Sequence, residues 1–195
     1  MKERDILIIK LVRRKMPVNS KNKGSNFERV ISKTFTEWWN SDGMEGKFFR
    51  TPGSGALAYR EQEDVIGDLC TPHGFPYTIE CKNQEGWKLE DLFTERIEAN
   101  DNKGSVSGWW RQACIEAYRA NKKPMLIMKK NYYEPLVMID NYAIFINDKI
   151  CFLPHLSRTY NVATEEFDRN YNVIVLRLSD WLDKIHPSAL INGGC

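Results

Sequence analysis

Residues 107–120 carry apolar positions at helical spacing and lead within a few residues into the apolar run Pro124-Met-Leu-Ile-Met128. A helix feeding a strand in this way is the crossover pattern of α/β proteins, so the chain is expected to build a sheet with helices packed on it. Its 195 residues, 42% hydrophobic and 28% charged, suffice for one such domain. A chain of this size buries roughly two-thirds of its unfolded surface and needs no disulfide or metal staple. Collagen-like, disordered and mini-protein architectures are excluded. The longest apolar runs, 6–9 and 124–128, fall far short of the roughly 20 residues that span a bilayer. Charges at Lys2, Glu3, Arg4 and Asp5 precede a short apolar stretch with no small-residue cleavage site, so no export signal is expected.

Other elements follow from the same periodicities. Phe27, Val30, Ile31, Thr34, Phe35 and Trp38 predict a helix with Ser25 as its N-cap and Glu28 in its first turn. Residues 47–50 read as a short strand running into the loop Thr51-Pro-Gly-Ser-Gly-Ala56. Two more strands, 64–70 and 77–82, flank Thr71-Pro-His-Gly-Phe-Pro76, a hairpin connection. A helix is expected over 87–99, strands over 135–139, 143–146 and 171–176, and a short closing helix capped by Ser179. The adjacent pairs Trp38-Trp39 and Trp109-Trp110 point about 100° apart on a helix. One of each pair is then free to stack on bases, although core packing or a dimer contact accounts for most of them.

Charge is unevenly spread. Residues 1–24 hold eight basic side chains, among them Arg13, Arg14, Lys15, Lys21 and Lys23, against Glu3 and Asp5, a local +6 in a chain of net +2. A basic arm and linker over 1–24 ahead of a single domain over 25–195 is the expected organisation. The arm suits a phosphate backbone, and a solvated tail explains the same charges equally well. Lys122-Lys123 and Lys129-Lys130 likewise suit either phosphates or solvent. Five scattered cysteines, an odd number, indicate a reducing, cytoplasmic setting. Cys70, His73 and Cys81 lack the second ligand pair of a zinc site.

The chemistry lies in Ile66-Gly-Asp68 and Ile79-Glu-Cys-Lys82. Along a strand Tyr77, Ile79 and Cys81 face one side, Glu80 and Lys82 the other. If the two strands pair, Asp68 and Glu80 converge, and carboxylates that close repel unless a cation lies between them. Oxygen-only ligands favour Mg²⁺ or Mn²⁺ over zinc. Such an ion activates water and polarises a phosphoryl oxygen, which fits phosphodiester hydrolysis with Lys82 beside the reacting atoms.

A helix bearing Glu28, then Asp68, then Glu80-x-Lys82, resembles the PD-(D/E)XK nuclease superfamily. Phe49-Arg-Thr-Pro-Gly-Ser-Gly-Ala56 is similar to the arginine and small-residue loop of archaeal-type Holliday junction resolvases, and Trp109-Trp-Arg-Gln-Ala113 to the glutamine-bearing helix of many relatives. Gly24-Ser-Asn-Phe-Glu28 resembles the opening of the same proteins. The likeness covers residues 20–130, leaves 131–195 as an elaboration, and replaces the family's proline before the strand acid by Gly67. It implies a restriction-endonuclease-like α/β core, a mixed sheet flanked by helices. It also implies a Mg²⁺-dependent DNA endonuclease, a homodimeric junction resolvase or another nuclease of the same core, or a binding module that has kept only the fold. By the same resemblance Asp68, Glu80 and the Cys81 carbonyl would hold the metal, with Glu28 completing the site. Lys82 would be the catalytic lysine and Ser54 a loop residue near the scissile phosphate. Arg50 and Gln112 would support the site or contact DNA.

Overall fold

A computed structural model describes residues 20–51, 66–88, 90, 93, 104–140 and 153–192. They form helix α1 (Ser20–Asn40), strands β1 (Phe49–Arg50), β2 (Leu69–Cys70) and β3 (Tyr77–Asn83), helix α2 (Val106–Arg119), strands β4 (Lys123–Lys129), β5 (Leu136–Asp140), β6 (His155–Ala163) and β7 (Asp168–Arg177), and helices α3 (Leu178–Lys184) and α4 (Pro187–Asn192). One seven-stranded sheet runs in the order β1-β2-β3-β4-β5-β7-β6. Only β3 and β4 pair in parallel, and α2 is their crossover, as the apolar run after a helix requires.

Strict alternation splits the sheet into two buried faces. Ile79, Cys81, Met125, Ile127, Val137, Ile139, Ile174 and Leu176 point to the side covered by α1 and α3, where Phe27, Ile31, Phe35, Trp38, Trp39 and Trp181 complete the core. Leu126, Met128, Met138, Val173 and Val175 face the other side, against Trp109, Trp110 and Ala113 of α2. All four paired tryptophans are buried, so none of them stacks on bases. Trp38 and Trp39 satisfy their indole N–H groups on the Ile185 and Glu45 carbonyls at 3.0 Å each.

Several sequence expectations need correction. Helix α1 begins at Ser20, so Ser25 lies inside it rather than capping it, and Glu28 is two turns in. Tertiary ties outweigh the weak helical propensity of Lys-Gly-Ser: Phe27 is buried and Lys23 is anchored to Glu85. Ser179 does not cap α3, whose cap is Arg177, paired with Asp180 at 2.7 Å. Strand β6 was not expected. It is an edge strand whose polar side faces solvent, so its apolar positions are too few to stand out, yet it pairs with β7 over its whole length. Lys129 is buried and Lys122 donates to Thr71 at 3.0 Å, so neither is a solvated end. The arm before Ser20, Ser54, the strand expected over 143–146 and most of the helix expected over 87–99 lie outside the described residues.

Candidate active site

The site forms where the chain turns from Gly67 into β2, against the C-terminal half of β3. Gly67 has φ +96°, and a Cβ there would stand 2.9 Å from the Ile79 carbonyl oxygen. Glycine alone fits this corner, and a proline, fixed near φ −65°, does not. Thr51 clamps it, donating its hydroxyl to the Gly67 carbonyl at 2.8 Å and its N–H to the Asp68 carbonyl at 3.0 Å. Asp68, immediately ahead of β2 rather than at a strand end, donates its N–H to the Ile79 carbonyl at 2.9 Å. Its carboxylate accepts the Cys81 N–H at 2.8 Å. The N–H and C=O of one strand residue point the same way, so the Cys81 carbonyl is also aimed to the Asp68 side.

Glu80 and Lys82 occupy the α2 face of β3, two residues apart. The Lys82 ammonium forms a close ion pair with Glu80 and donates to Gln112 Oε1 at 3.2 Å. Gln112 Nε2 donates in turn to Glu116 Oε1 at 3.1 Å. Arg50, at the end of β1, pairs with Glu28 of α1. The fold therefore gathers Glu28, Asp68, Glu80, Lys82, Arg50 and Gln112, drawn from two helices and three sheet segments.

Electrostatics tie these groups together. Burial pushes Asp68 up to about 6, against the lowering effect of the Cys81 N–H, and the Glu28 and Glu116 charges push the same way. Burial, then the Asp68 and Glu116 carboxylates, push Glu80 up to about 8 in spite of the Lys82 ammonium. Burial pulls Lys82 down, but Glu80, Asp68 and Glu116 outweigh it and hold the ammonium above its usual range. A buried cluster of like charges carrying shifted groups is the common physical mark of a catalytic site.

Glu116 was missed by sequence reasoning. Its only signal was the four-residue spacing from Gln112, which places both on one face of α2. Its Oε2 is buried without a hydrogen-bond partner. Lys23 departs from expectation in the other direction: its side chain is 11% exposed and ends on Glu85 at 2.5 Å, so it is a structural tie. The side chain of Lys21 and the whole of Arg13, Arg14, Lys15 and Ser54 lie outside the description.

The donors fit a hard divalent cation in chemistry and in charge. Glu28, Asp68, Glu80 and Glu116 against Lys82 and Arg50 leave two negative charges when all are ionised, and the ligand atoms are oxygens. Among the described residues no three acids, histidines or cysteines stand together as a ready coordination shell. Glu80 is held by Lys82 and Glu28 by Arg50, so a cation competes with these side chains for its ligands.

A mixed seven-stranded sheet with helices on both faces, carrying Asp68 beside a Glu80-x-Lys82 strand, defines a nuclease of the PD-(D/E)XK class with the restriction-endonuclease-like fold. Residues 19–192 match the family described as "Phage putative PDDEXK endonuclease", and the chain belongs to that family. It is 26% identical over 180 residues, 90% of this chain and 99% of the relative, to Protein D14 of Escherichia phage T5. No solved structure matches it. No helix among the described residues is long and apolar enough to cross a membrane.

Proposed function

We propose that this protein is a Mg²⁺-dependent DNA endonuclease that cuts branched DNA, resolving four-way junctions. The observation carrying this reading is the Lys82 ammonium, held between Glu80 and Gln112 on the strand that also presents its Cys81 backbone to Asp68. Asp68, Glu80, the Cys81 carbonyl and Glu28 would hold the ion. When bound, Mg²⁺ supplies Lewis-acid polarisation of a phosphoryl oxygen and a water acidic enough to attack at neutral pH. As an ammonium, Lys82 orients that water by donating to it and faces the charge that develops on the phosphate. Gln112 fixes the direction of the ammonium. Arg50, half-exposed and paired with Glu28, would contact a substrate phosphate if Glu28 were to hold the ion. Ser54, four residues after Arg50 in the sequence, acts near the scissile phosphate. Arg13, Arg14, Lys15 and Lys21 engage the DNA backbone by charge alone.

A four-way junction offers two equivalent strands, so the natural assembly is a homodimer with paired sites. Reading shape rather than base sequence suits a protein without a recognition helix or zinc module in its sequence. The test compares cleavage of a four-way junction with duplex, flap and single-stranded DNA in Mg²⁺. Paired symmetric nicks across the junction are expected, and preference for linear duplex overturns the junction assignment. Asp68→Asn and Glu80→Gln should each lower the rate on the order of 10³-fold. A variant cutting at the wild-type rate removes the site, and a wild type inert on every substrate leaves a binding module.

A further inference from the structure

The chain leaves β4 and re-enters the sheet in β5 through the turn Lys130-Asn-Tyr-Tyr133, closed by the Tyr133 N–H donating to the Lys130 carbonyl at 3.3 Å. Tyr132 sits third in this turn with φ 64°, while Asn131 stays out of the left-handed region. That is the geometry of a type II turn, whose third position takes glycine because an L side chain is strained there. Here it carries a tyrosine that is 83% exposed, next to Tyr133 at 68%. A side chain that is both strained and unburied does nothing for the core, and an exposed aromatic face in that position is suited to something outside the chain.

The turn is fixed in place. Glu85 Oε1 accepts the Asn131 N–H at 2.9 Å and the Lys23 ammonium at 2.5 Å, Lys130 lies 4.4 Å over the Trp87 ring, and the Gln84 N–H donates to the Lys129 carbonyl at 3.2 Å. It also stands at the catalytic edge of the sheet. Strands β3 and β4 run in parallel with Lys82 opposite Met128, so Tyr132 follows the Lys82 rung by four residues, at most about 13 Å of chain. That reach corresponds to a few nucleotides of a strand whose phosphate lies at Lys82.

We infer that Tyr132 and Tyr133 are a stacking surface for unpaired nucleobases of the DNA strand being cut. The inference rests on the nuclease reading and sharpens its substrate class: DNA with a single-stranded or unstacked segment beside the scissile bond. Aromatic faces bind any unpaired base, whereas paired bases within a duplex keep their faces stacked on each other. The surface therefore selects branch points without reading sequence.

The probes are a flapped DNA carrying 2-aminopurine at an unpaired position a few nucleotides from the branch and a four-way junction carrying it at the branch point, each bound by the full chain in EDTA and then cut in Mg²⁺. Wild type should quench the fluorescent base. Tyr132→Gly should bind at least about tenfold more weakly and lose the quench. Its melting temperature should hold or rise, because glycine suits the turn. Tyr133→Phe, which keeps an aromatic face, should retain the quench. A Tyr132→Gly protein that binds and quenches like wild type, with wild type still cutting in Mg²⁺, overturns the stacking surface and leaves the nuclease standing. A Tyr132→Gly protein that loses stability together with binding shows a structural role and also overturns it. A wild type that neither binds nor cuts overturns both.

Discussion

Gln112 joins two partners of opposite demand. The Lys82 ammonium can only donate and the Glu116 carboxylate can only accept, so the amide has one orientation that serves both, with Oε1 on Lys82 and Nε2 on Glu116. Glu116→Gln removes the demand for a donor and frees the amide to turn its NH₂ toward Lys82, where it meets another donor. The expected result is a kcat lower by about fivefold to tenfold with KM nearly unchanged, the worth of one mispositioned charged hydrogen bond. The acidic limb of the pH–rate profile should also move to lower pH, because the Glu116 charge helps to raise both Asp68 and Glu80. Wild-type kcat and an unmoved limb would exclude the positioning role. The same shifts govern stability. Asp68 at about 6 and Glu80 at about 8 both lie above their unfolded values of 3.8 and 4.5, so the folded chain holds protons that the unfolded chain gives up. Their stabilising contribution is complete below the unfolded values and is lost as pH rises through 6 to 8. The melting temperature of metal-free protein should accordingly fall between about pH 5 and pH 8. Saturating Mg²⁺ should flatten that fall by stabilising the ionised carboxylates, and Glu80→Gln should flatten it without metal. A metal-free profile flat over this range would show that the two acids are not buried against each other.

Strand β3 and the corner before β2 set the site, and the corner depends on one residue. Gly67→Ala combines a left-handed φ with a Cβ 2.9 Å from backbone that cannot give way, because the Ile79 carbonyl is tied to the Asp68 N–H. The loss should be about 1–3 kcal/mol in urea unfolding, with cleavage reduced because Asp68 is displaced from the Cys81 N–H. Unchanged stability would mean the corner relaxes freely. This element shows what the sequence could and could not convey. Alternation in Tyr77-Thr-Ile-Glu-Cys-Lys82 and the helix-to-strand step at α2 and β4 are local patterns, and both faces of β3 and the parallel pairing are legible from them. Asp68 was legible as a partner of Glu80 only through the assumed hairpin. Glu116 was not, because an acid on an amphipathic helix looks the same whether it meets solvent or the amide that holds a catalytic ammonium. The start of α1 was misread for a related reason: Lys-Gly-Ser is linker-like by composition, and the Lys23–Glu85 tie that makes it helical joins residues 62 apart. The 83%-exposed Tyr132 gave no signal at all, since its φ is a property of the turn.

For the molecule as a whole, the balance of charge sets how it meets a polyanion. The proposed active site is locally acidic and would repel a DNA backbone until a cation is bound, so encounter must be driven from elsewhere. The basic side chains ahead of α1 are the strongest source in the sequence: Lys2, Arg4, Lys10, Arg13, Arg14 and Lys15, against Glu3 and Asp5. Lys23 is withdrawn from that set by its tie to Glu85. Arg13, Arg14 and Lys15 form its densest run, and replacing all three by alanine leaves every contact described for the fold untouched. Each phosphate neutralised contributes about 0.9 to the slope of log K against log salt on duplex DNA. The triple variant should therefore flatten the slope by up to about 2.7 and bind more weakly at low salt. Its melting temperature should be unchanged, as should its rate once saturated with DNA, because the proposed catalytic groups lie on β3 and α2. Equilibrium binding to a junction in EDTA, titrated across salt, measures this directly. A slope equal to that of wild type would make the arm a solvated tail and leave Arg50 as the proposed phosphate contact.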